Sequence, residues 1–202
     1  MSSIEQVASR AEGASTALVL RPQTAVLGDV ECKGAIVGES ADVELLGVSF
    51  SQPPAVWYDE WTEALGNAPE AAAVITTPEL AGGNLDDRDI DVETVASPSN
   101  LTGIGVKSTP YLSQWDDALT VVESLTVPLR YTDTQSVYKF VHVLTSRLQA
   151  TDAAGQFYLD PAVEDERTVE LFKTLFDAVV ECEVDTDGGD PTVEWSVTLR
   201  DG

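Results

Sequence analysis

The stretch 118–160 sets the strongest limit on what this chain can fold into. An apolar run, Leu119-Thr120-Val121-Val122, ends on Glu123-Ser124. An amphipathic helix is predicted over 134–150. A second apolar run, Gln156-Phe157-Tyr158-Leu159, ends on Asp160-Pro161. Short apolar runs stopped by polar residues or proline predict strands buried on both faces. Two such strands joined through a long helix run parallel, because a parallel pair needs a crossover of about a dozen residues or more. The unit therefore predicts an open α/β sheet with Glu123, Ser124 and Asp160 at the carboxyl ends of its strands. That edge is where open α/β sheets hold their ligands.

The same alternation runs through the rest of the chain. Residues 1–14 are a polar N-terminal extension, a short helix or a frayed start, and residues 15–202 read as one domain. Thr16-Ala17-Leu18-Val19-Leu20, residues 43–50, Ala72-Ala73-Val74-Ile75-Thr76 and residues 90–95 predict strands, the first closed by Arg21-Pro22 and the second by Pro53-Pro54. Residues 23–37 are ambiguous between helix and irregular loop. Residues 55–65 predict a helix with Val56, Trp57, Trp61 and Leu65 on one face and Asp59, Glu60 and Glu63 on the other. Helices are also predicted over 101–115, after a cap at Ser97-Pro98-Ser99-Asn100, and over 165–178. Two strands at 179–184 and 193–199 close the chain as a hairpin through Asp187-Gly188-Gly189-Asp190-Pro191. The expected fold is a mostly parallel sheet sandwiched by helices, with an antiparallel C-terminal hairpin.

Charge narrows the function classes. There are 35 acidic residues against 11 basic ones, for a formal net charge of -24. The acids are dispersed along the chain and lysine is confined to Lys33, Lys107, Lys139 and Lys173, a pattern expected of a surface adapted to high salt. Attraction of a basic partner is the competing explanation. Binding to nucleic-acid phosphates is disfavoured, since no basic patch exists to neutralise them. No apolar run is long enough to span a membrane and no secretion signal is visible, so the cytoplasm is expected. Cys32 and Cys182 fit no metal spacing and read as buried thiols.

An apolar strand ending in an acid is also what a P-loop fold uses to hold magnesium beside a nucleotide. Val121-Val122-Glu123-Ser124-Leu125-Thr126, residues 138–148, Phe157-Tyr158-Leu159-Asp160-Pro161 and residues 175–181 resemble the second half of RecA/KaiC-like ATPase domains. More closely they resemble a haloarchaeal group of RecA-like proteins labelled HTR-like. Asn100-Leu101-Thr102-Gly103-Ile104-Gly105 and Tyr111-Leu112-Ser113-Gln114-Trp115 also fit that group. The resemblance covers residues 100–181 and fades before about residue 70. It implies a RecA-type sheet whose first strand, Thr16 to Leu20, leads into a Walker A loop, with ATP and magnesium as the implied cofactors.

That loop should read G-x-x-x-x-G-K-[ST], its glycines and lysine wrapping phosphates. The nearest approach is Gly28-Asp29-Val30-Glu31-Cys32-Lys33-Gly34-Ala35. Glycine and lysine are transposed, the hydroxyl is missing, and Asp29 and Glu31 bring the wrong charge. Glu123 replaces the usual aspartate at the metal-holding strand end. The expectation is a RecA-like fold without hydrolysis, acting through a protein partner in signalling or regulation. The alternative is a divergent ATP-binding or ATP-hydrolysing enzyme. Were nucleotide binding retained, Lys33, Glu123, Ser124 and Asp160 would be its residues. RecA-like domains assemble through their flanks, so the resemblance also admits a homo-oligomer.

Other constellations carry less. His142 is the only histidine and is expected to pack beside core positions of its helix. Ser124 lacks the G-x-S-x-G elbow that would expose a nucleophile. Asp86-Asp87, Asp116-Asp117 and Glu164-Asp165-Glu166 read equally as loose cation sites or as solvated surface. Asn100-Leu101-Thr102 matches a glycosylation sequon and reads as chance or as a helix start. The four tryptophans, Trp57, Trp61, Trp115 and Trp195, read as core or interface.

Overall fold

The computed structural model describes residues 3–11, 13–22, 29–37, 42–185 and 192–200. The chain begins with α1 (Ser3–Ala11), β1 (Thr16–Leu20), α2 (Asp29–Val37), β2 (Glu44–Val48), α3 (Pro54–Leu65), β3 (Ala71–Thr76) and β4 (Asp91–Thr94). It continues with α4 (Leu101–Gln114), β5 (Ala118–Val122), α5 (Thr126–Tyr131), α6 (Thr134–Ala150), β6 (Ala154–Leu159), α7 (Glu166–Lys173), β7 (Ala178–Asp185) and β8 (Thr192–Leu199). The strands form one eight-stranded sheet in the order β4-β3-β2-β5-β6-β1-β7-β8. All neighbours are parallel except β7 and β8, which pair antiparallel. The expected α/β architecture, hairpin included, is the one observed.

The period-two alternation of each strand divides the core in two. Leu18, Leu46, Ile75, Val122 and Phe157 face α4, α6 and α7. Ala17, Val19, Leu45, Val74, Val121 and Tyr158 face the side of α1, α2 and α3. Two glycines set the second layer. A Cβ on Gly47 would lie 2.7 Å from Trp57 Cε2, so glycine lets that indole lie flat on β2. A Cβ on Gly34 would run into the Ala64 carbonyl oxygen, so glycine brings α2 and α3 together.

Helix ends follow their side-chain chemistry. Asp133 accepts from Ser136 N at 2.9 Å and Asp165 accepts from Thr168 N at 2.8 Å, opening α6 and α7. Asn100 accepts from Gly103 N at 2.9 Å, so the sequon is a helix start. At the opposite edge, Asp177 accepts from Thr16 N at 3.0 Å and from Thr16 Oγ1 at 2.8 Å, tying the starts of β1 and β7.

Several expectations are corrected. The helix predicted over 165–178 stops at Lys173, because residues from Ala178 onward are drawn into the sheet by pairing with β1. Leu171, an apolar residue of that helix, is 39% exposed. Val56 faces outward, and His142 is exposed on α6, stacked on Tyr138 with ring centroids 6.5 Å apart. The ambiguous stretch 23–37 is helical from Asp29; residues 23–28, Gly28 among them, lie outside the described residues. So does the hairpin loop at 187–191. The extension at 1–14 contains α1, whose Val7 is buried and whose Arg10 donates to the Val197 carbonyl of β8 at 3.4 Å.

Candidate functional site

The sheet order contains a topological switch point. From β2 the chain passes to β3 on one side, and from the adjacent β5 it passes to β6 on the other. The two crossovers diverge at the carboxyl ends of β2 and β5, the edge where open α/β sheets take their ligands. The residues emerging there are Ser49, Ser51 and Gln52 from β2 and Glu123 from β5. Ladder geometry continues one residue past the strands, with Glu123 N donating to Val48 O at 3.0 Å. This fixes the Glu123 backbone beside the end of β2.

Glu123 is half-buried and surrounded by donors. One carboxylate oxygen accepts from Ser49 Oγ and from Ser51 Oγ, the latter at 2.8 Å. The other accepts from Gln52 Nε2 at 2.6 Å. The same Gln52 nitrogen donates to Glu60 Oε2 at 2.9 Å, so one amide bridges two carboxylates. Glu60 Oε1 in turn takes the ammonium of Lys33. That ammonium also lies 5.4 Å from the centroid of the Trp61 ring. The result is a continuous chain from α2 through α3 to the end of β5: Lys33, Glu60, Gln52, Glu123, Ser49 and Ser51.

The two carboxylates are pushed apart. Burial drives the Glu123 carboxyl above its usual range and the charge of Glu60 adds to this; the serine hydrogen bonds and the charge of Lys33 offset only part. Burial would also raise Glu60. There, however, the charge and hydrogen bond of Lys33, the amide of Gln52 and the charge of Arg21 outweigh it and hold the carboxyl low. The network thus joins one carboxyl held low beside its own counter-ion and one pushed up by burial.

Two of the four residues singled out from the sequence, Lys33 and Glu123, meet in this network. Lys33 is not in a loop. It sits in the middle of α2, 2% exposed, its carbonyl receiving Gln156 Nε2 at 3.2 Å. Ser124 and Asp160 serve the neighbouring turn. Ser124 Oγ accepts from Val127 N at 3.3 Å and starts α5. Asp160 accepts from Ala162 N at 2.9 Å, and its own amide donates to Thr126 Oγ1 at 3.1 Å. Sequence reasoning missed Ser49, Ser51, Gln52 and Glu60. The polar string Ser49-Phe50-Ser51-Gln52 after an apolar strand was a visible signal. Glu60, expected on the helix face opposite Trp57 and Trp61, turns towards Lys33.

Among the described residues no group of histidines, cysteines and acids is arranged to hold a metal ion, and no helix is long and apolar enough to cross a membrane. Cys32 and Cys182 are buried thiols.

The fold has solved relatives. An uncharacterised protein from Pyrococcus horikoshii, in complex with an unknown peptide, superposes with a TM-score of 0.59 at 12% identity, covering 98% of this chain and 91% of that one. A KaiC-like protein from the same hyperthermophilic archaeon superposes with a TM-score of 0.55 at 10% identity, covering 92% of this chain and 78% of that one. The architecture is therefore that of RecA/KaiC-like proteins. A search of curated proteins gives no match. The model of DUF7504, a family of unknown function, matches residues 15–182, and the chain belongs to that family.

Proposed function

We propose that the protein is a non-hydrolysing RecA/KaiC-like module that acts by binding another protein, in signalling or regulation within the cytoplasm of a halophile. One observation carries this reading: the ammonium of Lys33 is committed to Glu60 inside the packed α2–α3 layer. A P-loop lysine must be free to neutralise phosphate. Here the counter-charge is internal, and Gly34, beside it, serves the approach of α2 to α3. Residues from Asp29 to Ala35 form helix rather than a phosphate-wrapping loop. Glu123, the residue that would face magnesium, is already engaged by two serines and a glutamine. These residues suit a nucleoside triphosphate with magnesium poorly. The relative from Pyrococcus horikoshii crystallised with a peptide lends the interaction half of the proposal support by analogy.

The test is a titration with ATP and with GTP in molar KCl containing magnesium, followed by calorimetry and by phosphate release. The expected result is no turnover and no affinity tighter than about millimolar, some 4 kcal/mol of binding. Turnover that disappears in Glu123→Gln, with the variant still folded by circular dichroism, would overturn the reading in favour of a divergent ATPase.

A further inference from the structure

We infer that the β4 edge and the cleft beneath it form a docking site for a basic peptide segment in extended conformation, bound as an added strand. The inference rests on the protein-interaction reading above and names the chemistry of the partner. β4 is the terminal strand of the sheet, paired with β3 alone. A terminal strand offers backbone donors and acceptors to any chain that lies alongside it. Next to it, between the starts of β3 and β4 and the last turn of α4, lies a cleft of about 300 Å³.

Several features of this cleft favour a cation. Asp89, Asp91 and Glu93 line one side. Asp89 and Asp91 are exposed and make no ion pair among the described residues, while Glu93 is held by Lys107 at 2.5 Å. Tyr111 and Trp115 form the other wall, their ring centroids 4.9 Å apart and tilted by 54°. Ring faces attract ammonium and guanidinium groups. The wall is also the C-terminal turn of α4, where the helix dipole places negative partial charge and where no basic side chain compensates it. Burial chiefly raises the Tyr111 hydroxyl, and the charges of Asp91 and Glu93 with a hydrogen bond to Glu93 add to it.

The charge also selects among occupants. A second copy of this chain would bring its own acidic edge against Asp89 and Asp91, and like charges on edge strands repel such pairing. A strand with arginine or lysine at alternate positions has the complementary pattern. Its side chains at i and i+2 fall on one face, as those of Asp91 and Glu93 do on β4.

The experiment uses the full chain in the KCl concentration that keeps it folded. Two blocked peptides are titrated, Thr-Arg-Val-Arg-Thr and Thr-Glu-Val-Glu-Thr, with a backbone N-methylated form of the first. The readout is tryptophan fluorescence, assigned with Trp115→Phe, since Trp57, Trp61 and Trp195 are buried. Saturable binding of the arginine peptide, at least tenfold tighter than the glutamate peptide, is expected. The Asp89→Asn/Asp91→Asn variant should lose at least tenfold of that affinity at an unchanged melting temperature, and N-methylation should cost a similar factor. Absence of saturable binding, equal binding of the two peptides, or full affinity in the double variant would overturn the inference. So would undiminished binding of the N-methylated peptide. None of these outcomes bears on nucleotide turnover, so the non-hydrolysing reading stands or falls separately.

Discussion

Lys33→Met separates a structural lysine from a phosphate lysine. In a phosphate loop the lysine waits for a ligand, and its removal costs affinity rather than stability. Here it is 2% exposed and its partner Glu60 is 27% exposed. The pair therefore lies between the fully buried limit, where breaking one partner costs about 3–5 kcal/mol, and the exposed limit of about 0–1 kcal/mol. Methionine preserves most of the apolar packing over Trp61 but leaves Glu60 and Glu123 sharing one amide donor without the lysine's counter-charge. A loss of about 2–3 kcal/mol is expected, or roughly 4–12 °C in melting temperature for a domain of this size. Urea unfolding in molar KCl, followed by near-ultraviolet circular dichroism, measures it. Glu60 is held below its ordinary value of 4.5, so its stabilisation is fully present above 4.5 and is lost as pH falls through its lowered folded value. The deficit of the variant should accordingly shrink on acidification. Lys33→Met/Glu60→Leu should recover most of the loss, because an apolar pair replaces the buried ion pair. A single variant within about 0.5 kcal/mol of the parent, the ordinary range for a surface change, would refute the reasoning. A double variant no better than the single one would do the same.

Further outcomes follow from the same geometry. Gly47→Ala drives a Cβ into the Trp57 indole and should cost about 3 kcal/mol by overpacking, with partial rescue by Trp57→Leu in a double-mutant cycle; additive losses would break the assignment. Glu123 is raised by burial, so the folded state binds an extra proton between 4.5 and the raised folded value, and stability falls as pH climbs through that window. Glu123→Gln should abolish this slope in melts from pH 4.5 to 8 in molar KCl; an unchanged slope would place its origin elsewhere. Lowering KCl from molar to about 0.1 M should lower the melting temperature, since the net charge of -24 is then screened only beyond about 10 Å; a flat or rising midpoint would count against salt adaptation.

The fold was legible wherever a local pattern sufficed. β1 and α6 appear with the bounds that their apolar runs, prolines and caps suggest, because burial on both faces and a helical stripe are written in consecutive residues. α5 was not legible: six residues containing Pro128 carry no periodicity. The parallel pairing of β4 was also hidden, since residues 77–90 return the chain to the same edge without a helix that could be read as a crossover. Within the candidate site, Glu123 could be found because a strand end on an acid is a local signal. Its connection to Lys33 runs through Glu60 and Gln52, on α3 and on the loop before it. Only the packing of α2 on α3 brings these together, and only Gly34 hints at that.

The position of β1 has a consequence for how the chain is made. It leaves the ribosome before the other seven strands of its sheet, yet its neighbours are β6 and β7, from the far end of that sheet's sequence. At about 5–20 residues per second, the interval between synthesis of Thr16 and of its partner Gly155 is on the order of ten seconds. In that time β2, β3, β4 and β5 can pair with one another, while β1 stays apolar and unpaired on both edges. A chain cut short before β6 leaves its first strand without a neighbour, an open invitation to aggregation. Nascent chains of this protein should therefore engage chaperones through residues 16–20 until β6 emerges.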